Sequence, residues 1–271
     1  MNVLISSDVE GVCGVDDYEY INGRDPAKLE LGKKWLTEEL NVLIETCFEN
    51  GATKVMVVDG HGKGDNILMN ELDDRAMILR KHEYRMIEGI TDNINYLILQ
   101  GYHGRANTPH SFTAHSYTSF FFSEVRVNGR SVGESELNAM VAKQLGIKTI
   151  LLTGTKEAIE ECHIKGLQTV ETKESLAWSK AQSRDRQEVL KEMKVACQKA
   201  FDTKDSIDYI NDEIYNVEVE VELNHLAVAE LLSYPRVDAK TITFDAPSVE
   251  EAYLELMRIG QECKKMYSTI Y

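Results

Sequence analysis

Apolar runs too short for helices alternate with segments of three- and four-residue periodicity over roughly the first 155 residues of the chain. "NVLIS" near the amino terminus reads as a short buried strand. "PAKLELGKKWLTEELNVLIETCFENG" reads as a helix in which Leu36, Leu40, Leu43 and Cys47 share a face and Gly51 supplies the stop. "TKVMVVDGHG", "INYLILQGYHG" and "KTILLTG" are further buried strands, and "GESELNAMVAKQLGI" is a helix with Leu137, Met140 and Val141 on one side. Asn128-Gly129 in "SFFFSEVRVNGRSVGE" marks a hairpin, because both central residues of that turn need positive φ. Strands alternating with helices predict an α/β fold, a three-layer α/β/α main domain around a mainly parallel sheet.

From about Thr155 the texture becomes more charged and the apolar runs shorter. The expected division is therefore a catalytic α/β domain over 1–155 and a smaller α/β region over 156–271 packed on it. "SRDRQEVLKEMKVACQKAF" has the pattern of an amphipathic helix, "VEVEVELN" that of a strand with one wet face, and "TITFDAPSVEEAYLELMRIGQECKK" that of a strand followed by a helix. Ser248 and Glu251 match a capping box at that helix start. There is no internal repeat, and with 4 prolines and 17 glycines a long flexible hinge is not expected.

Composition narrows the partners. With 30 Lys and Arg against 45 Asp and Glu the formal charge is −15, which repels nucleic acid and anionic membranes in the absence of a basic patch. No window approaches the ~20 apolar residues of a spanning helix, and no basic segment followed by an apolar run opens the chain. The expectation is a soluble, cytoplasmic protein. Five scattered cysteines with no C-x-x-C pair suit reduced thiols.

Three strands of the first region end alike. "ISSDVEG" delivers Asp8 and Glu10, "VVDGHG" delivers Asp59 and His61, and "LILQGYHG" delivers His103. Ligands of open α/β sheets bind beyond the carboxyl ends of the strands, so these side chains can meet although far apart in sequence. Asp8 and Glu10, at i and i+2 of a strand, are expected to point to one face. Clustered carboxylates repel and need positive charge, and carboxylate with imidazole suits zinc, manganese or iron. Asp59 reads either as a ligand or, better, as an acceptor fixing a histidine tautomer. Glu134 fits both a ligand and an acid favoured by the helix dipole. With Glu134 the set would carry −3, against +4 from two divalent ions. His110 and His115 in "RANTPHSFTAHSYT" are candidate proton carriers or incidental loop histidines. The chain has no H-E-x-x-H, G-x-S-x-G, Walker or G-x-G-x-x-G motif. The run of phenylalanines at 120–122 reads as core or subunit interface.

Taken together, "SSDVEGVCG", "VDGHGKGDN", "GYHGRANTPHSFTAHS" and "VNGRSVGESELNA" resemble the zinc-dependent D-aminopeptidase family, the DppA-type peptidases, in order and interval. The resemblance implies two zinc ions per subunit, with Asp8 bridging them and Glu10, His61, His103 and Glu134 completing the coordination, and Cys13 left as a nearby thiol. It implies a catalytic role for His115. It also implies hydrolysis of amino-terminal residues, D-residues above all, from short peptides or amides by a hydroxide on the dinuclear site, in a homo-oligomeric ring of five or ten subunits. Gly154-Thr155-Lys156 stands where Gly-Asp-Asp is usual, and Ala177-Trp178 where an arginine is usual; both departures lie outside the metal set and bear on specificity and subunit packing. An amino-acid amidase or another dinuclear metallohydrolase, such as a phosphoesterase served by Arg105 and Lys63, is the nearest rival. A non-catalytic peptide- or metal-binding protein is the rival from another class, and it would be expected to lack part of the ligand set.

Overall fold

Alternation along the first strand sets up both sides of the fold: Val3 and Ile5 enter one apolar cluster, Leu4 the other. A computed structural model describes residues 1–80, 86–209 and 213–270. The chain runs through β1 (Asn2–Ser7), α1 (Pro26–Glu49), β2 (Lys54–Asp59), β3 (Met77–Leu79), β4 (Tyr96–Tyr102), the hairpin β5 (Phe122–Val127) and β6 (Arg130–Ser131), α2 (Glu134–Gln144) and β7 (Lys148–Thr155). It continues with α3 (Lys156–Glu161), β8 (Ile164–Lys165), β9 (Gln168–Ala177), β10 (Lys180–Ser183), α4 (Arg186–Thr203), β11 (Asp208–Tyr209), β12 (Tyr215–Leu223), α5 (Leu226–Leu231), β13 (Thr241–Ser248) and α6 (Val249–Ile270).

The main sheet has the order β10-β9-β7-β4-β1-β2-β3, parallel throughout except for the antiparallel edge strand β10. One face is covered by α1 and α4, whose Leu36, Leu40, Leu43, Val189 and Met193 meet Val3, Ile5, Val55 and Val57. The other face meets α2, α6 and an antiparallel sheet of order β13-β12-β5-β6. The fold is the expected three-layer α/β/α arrangement. Residues beyond Thr155 serve both layers: β9, β10 and α4 extend the main sheet and its outer cover, whereas β12, β13 and α6 join the β5–β6 hairpin on the other side.

Several local readings hold in detail. Asn128 (φ 51) and Gly129 (φ 75) form the hairpin turn. In β12, Val217, Val219, Val221 and Leu223 are buried while the glutamates between them face outward, and Glu220 pairs with Arg126 at 3.2 Å. Ser248 Oγ accepts from the Glu251 amide at 3.3 Å. The three phenylalanines divide, with Phe121 and Phe122 in the core and Phe120 exposed beside a cavity. No helix among the described residues is long and apolar enough to cross a membrane.

The strand order reverses between β1 and β4, and there the backbones come unusually close. Gly11 donates to the Gly101 carbonyl at 2.7 Å, and Asp8 to the Gln100 carbonyl at 2.8 Å. A Cβ on Gly101 would lie 2.1 Å from the Asp8 carbonyl oxygen, at φ +77. Only glycine meets both the approach and the left-handed backbone. Gly101→Ala is therefore expected to cost about 3 kcal/mol or more and to lower the thermal midpoint by about 6 °C or more; an unchanged midpoint in a calorimetric scan would contradict the close packing.

Candidate metal centre

The ends of three adjacent strands build the site. β1 ends at Ser7, so Asp8 and Glu10 lie beyond it, in a turn closed by Val12 donating to the Val9 carbonyl at 3.1 Å. Their shared direction comes from that turn and not from strand alternation. β2 leads into His61, β4 into His103, and Glu134 is the first residue of α2, after the N-cap Gly133. Asp8, Glu10, His103 and Glu134 are buried, and His61 and His115 are half-buried.

Asp8 turns its two oxygens in different directions. Oδ1 lies 3.5 Å from His61 Nδ1, and Oδ2 lies 3.4 Å from His103 Nε2. Glu10 Oε2 is 2.9 Å from His61 Nδ1, and Glu134 Oε2 is 3.7 Å from His103 Nε2. Two groups result, Asp8 with Glu10 and His61, and Asp8 with His103 and Glu134, each with donor atoms within 4.8 Å of one another. Glu10, His103 and His115 form a third such group.

Whether a metal fits can be judged from what these atoms lack. Asp8 Oδ2, Glu10 Oε2 and His103 Nε2 are buried without a hydrogen bond, although His61 Nδ1 comes within 2.9 Å of Glu10 Oε2. Orphaned buried polar atoms are costly, and three converging on one crevice require a cation. His103 Nδ1 is 2.9 Å from the Gly104 carbonyl. A carbonyl only accepts, so Nδ1 carries a proton in either charge state, and Nε2 is the nitrogen that can give up its proton and take a metal. The donor set fits divalent metal.

Burial pushes the Asp8 carboxyl up, but His103 and His61 beside it bring it well below the usual carboxylate range. Burial opposes the charged imidazolium, yet Glu134 and Asp8 raise His103 to about 10, and Glu10 and Asp8 hold His61 well above its usual value. Without metal, protons take the place of the missing positive charge.

His115 stacks on His103 with ring centroids 4.2 Å apart. Its Nδ1 faces the Thr113 carbonyl at 2.7 Å, so that nitrogen carries the proton and Nε2 is left facing Glu134 Oε1 at 3.6 Å. Glu134 Oε1 also accepts from the Tyr117 amide at 2.5 Å. The loop is strained, since Thr113 (φ 51) and Tyr117 (φ 60) lie in the left-handed region. His110, the other candidate of this loop, is exposed and does not line the cavity. Asp59 differs from expectation: its carboxylate accepts from the main-chain amides of Asn66 (2.7 Å) and His61 (3.2 Å), so it holds the loop and not the imidazole ring. The cavity over the cluster measures about 320 Å³. Arg105 pairs with Glu161 at 3.2 Å, and Lys63 lines a different cavity.

Sequence reasoning missed the support beneath the turn. Lys173, fully buried, donates from Nζ to the carbonyls of Glu10 (2.6 Å) and Val15. Glu39, also fully buried, accepts from the Cys13 amide at 2.8 Å and from Gln100 Nε2 at 2.7 Å, and Gln100 accepts from Ser7 Oγ at 2.7 Å. The signal was present in α1, where Glu39 falls inside the apolar stripe of Leu36, Leu40 and Leu43. The Cys13 thiol is pushed up to about 11 by burial and by Glu39, so it stays protonated.

Fold and site together define a metal-dependent hydrolase of the parallel α/β kind. The sequence profile of the D-aminopeptidase family matches residues 1–258, and the chain belongs to that family. It is 31% identical over 183 residues to the D-aminopeptidase of Bacillus subtilis (strain 168), an alignment spanning 66% of each chain. It also superposes on the solved Zn-dependent D-aminopeptidase DppA from Bacillus subtilis, a self-compartmentalizing protease, with a TM-score of 0.90 and 26% identity over 97% of this chain and 98% of that one.

Two outcomes follow from this geometry. Lys173→Met leaves two buried carbonyls without a donor and is expected to cost about 2–5 kcal/mol in denaturant unfolding; a loss below about 1 kcal/mol would mean the turn is held otherwise. With His103 raised to about 10, zinc added to metal-free protein at pH 8 must displace the extra proton on that ring, and its affinity must rise with pH. Calorimetry in buffers of different ionisation heat would show the release, and the absence of proton release would contradict the protonated site.

Proposed function

We propose that this protein is a zinc-dependent aminopeptidase that removes amino-terminal residues, D-residues by preference, from short peptides or amides. The observation that carries this reading is the divergence of the two Asp8 oxygens toward separate histidine–carboxylate groups. Asp8 would be shared by two zinc ions, with Glu10 and His61 on one and His103 and Glu134 on the other. When bound, the ions supply an acidified water as nucleophile and polarise the scissile carbonyl.

The chain's own residues do the rest. His103 presents its Nε2 lone pair because Gly104 occupies Nδ1, and Glu134 is held by the Tyr117 amide. His115, with its Nε2 open to the cavity, carries a proton to the leaving amine. A phosphoesterase is disfavoured, since no lysine or arginine lines the cavity among the described residues. An amino-acid amidase would use the same groups on a smaller substrate. Family membership and the likeness to a self-compartmentalizing enzyme support a homo-oligomeric ring, pentamer or decamer. Exposed Leu226, Leu231 and Val237 are suited to contacts between subunits. Five cysteines with no disulfide among them support a cytoplasmic setting.

Metal analysis paired with hydrolysis of D- and L-alanyl amides and dipeptides tests the reading. The native chain should bind two zinc ions, Asp8→Asn should weaken both sites, and Glu10→Gln mainly one. His115→Ala should keep the metal and lose about 10²–10⁴-fold in kcat. One metal per chain, or an active Asp8→Asn, would end the dinuclear reading.

A further inference from the structure

The floor of the cavity is acidic, but its walls hold no lysine or arginine among the described residues. Among the described residues, two lysines that adjoin this part of the chain are engaged with carboxylates: Lys180 is bound to Asp17, and Lys28 to Glu19. What stands there instead is aromatic. Tyr18 and Trp178 both line the cavity, with ring centroids 4.9 Å apart and an interplanar angle of 55°. Two distant parts of the chain bring them together, through the Asp17–Lys180 bridge and the Tyr18 amide donating to the Ser179 carbonyl at 3.2 Å.

Trp178 is 46% exposed, yet it is fixed. Its carbonyl accepts from the Thr113 amide at 2.7 Å, and its indole N–H donates to the Ala114 carbonyl at 3.4 Å. The indole is thus tied to the segment that carries His115. A large ring held in place beside a cavity and left partly uncovered offers a surface to a flat apolar group, with little ordering cost left to meet on binding.

We propose that Trp178 and Tyr18 form the subsite for the substrate residue that follows the scissile bond, and that it selects an uncharged aromatic or apolar group over the free carboxylate of a dipeptide. This rests on the reading in which His115 protonates the leaving amine, because that step places the leaving group on the indole's side of the cavity. A dipeptide carries its carboxylate within about one residue length, ~3.5 Å, of the scissile nitrogen. Brought against walls that hold no lysine or arginine among the described residues, that charge loses water and gains no partner from them. An amidated aromatic residue at the same place loses no such hydration, and its ring packs against the indole.

The test compares alanyl-phenylalanine amide, alanyl-alanine amide and free alanyl-phenylalanine, each in the enantiomer cleaved, on the zinc-loaded protein and its Trp178→Ala, Trp178→Phe and Trp178→Arg variants. Expected for the native protein is a kcat/KM for alanyl-phenylalanine amide about tenfold or more above each of the other two. Trp178→Ala removes the aromatic preference, Trp178→Phe keeps most of it, and Trp178→Arg raises the free dipeptide relative to its amide. Equal rates with the free dipeptide, or a Trp178→Ala loss shared equally by all three substrates, overturns the subsite. A second readout does not need turnover: an uncleavable reduced-bond analogue ending in 4-nitrophenylalanine amide should quench tryptophan fluorescence in the native protein but not in Trp178→Phe, which retains only Trp35. Quenching without cleavage of any amide refutes the aminopeptidase reading and leaves the subsite standing; cleavage without quenching refutes the subsite alone.

Discussion

Three carboxylates and two imidazoles converge in one buried crevice, and their mutual electrostatics govern the rest of the molecule. Carboxylates held this close, with buried oxygens that find no donor, are tolerable only beside positive charge. In the metal-free chain, protons on His61 and His103 provide it, which is why both imidazoles are held above their usual range. A divalent cation is the more concentrated answer, and the lone pairs that the hydrogen-bonded histidine tautomers leave open suit it.

Holding such a set against its own repulsion needs a stiff frame. The turn with Asp8 and Glu10 is pressed against β4 through glycines and is fastened from below by Lys173. Lys173 and Glu39 are themselves buried ionisable groups, moved by burial to about 7 from opposite sides, and each is compensated locally, Lys173 by carbonyls and the Phe112 ring, Glu39 by Cys13, Gln100 and Arg186. The cost of burying them is tied to positioning a loop that has no secondary structure of its own.

The charge distribution has a consequence for chemistry. A chain with net charge −15 and a cavity lined by no lysine or arginine among the described residues is poorly suited to phosphate or to other strongly anionic groups. Its aromatic mouth and neutral walls are better matched to peptide or amide substrates, as expected of a member of the D-aminopeptidase family.

Much of the fold was legible because its signals are local. The periodicity of α1, the buried runs of β1, β2, β4 and β7, and the Asn128-Gly129 turn each follow from a few neighbouring residues. The site residues were legible for a related reason: in a parallel sheet the carboxyl ends of adjacent strands share one edge, so Asp8, His61 and His103 could be placed together without coordinates. Other features were set only by tertiary packing. β1 stops at Ser7, and a turn, not strand alternation, aligns Asp8 with Glu10. Asp59 binds main chain because Asn66 folds back onto it. Lys173 and Trp178 reach the site from beyond residue 155, Lys173 to hold the turn at Glu10 and Trp178 to meet the Tyr18 ring and the segment at Thr113 and Ala114. Sequence by itself determined which side chains end the strands, since that depends on local pattern. Only the tertiary structure decided which charges lie beneath them and which rings stand above, because those contacts exist only after distant segments have packed.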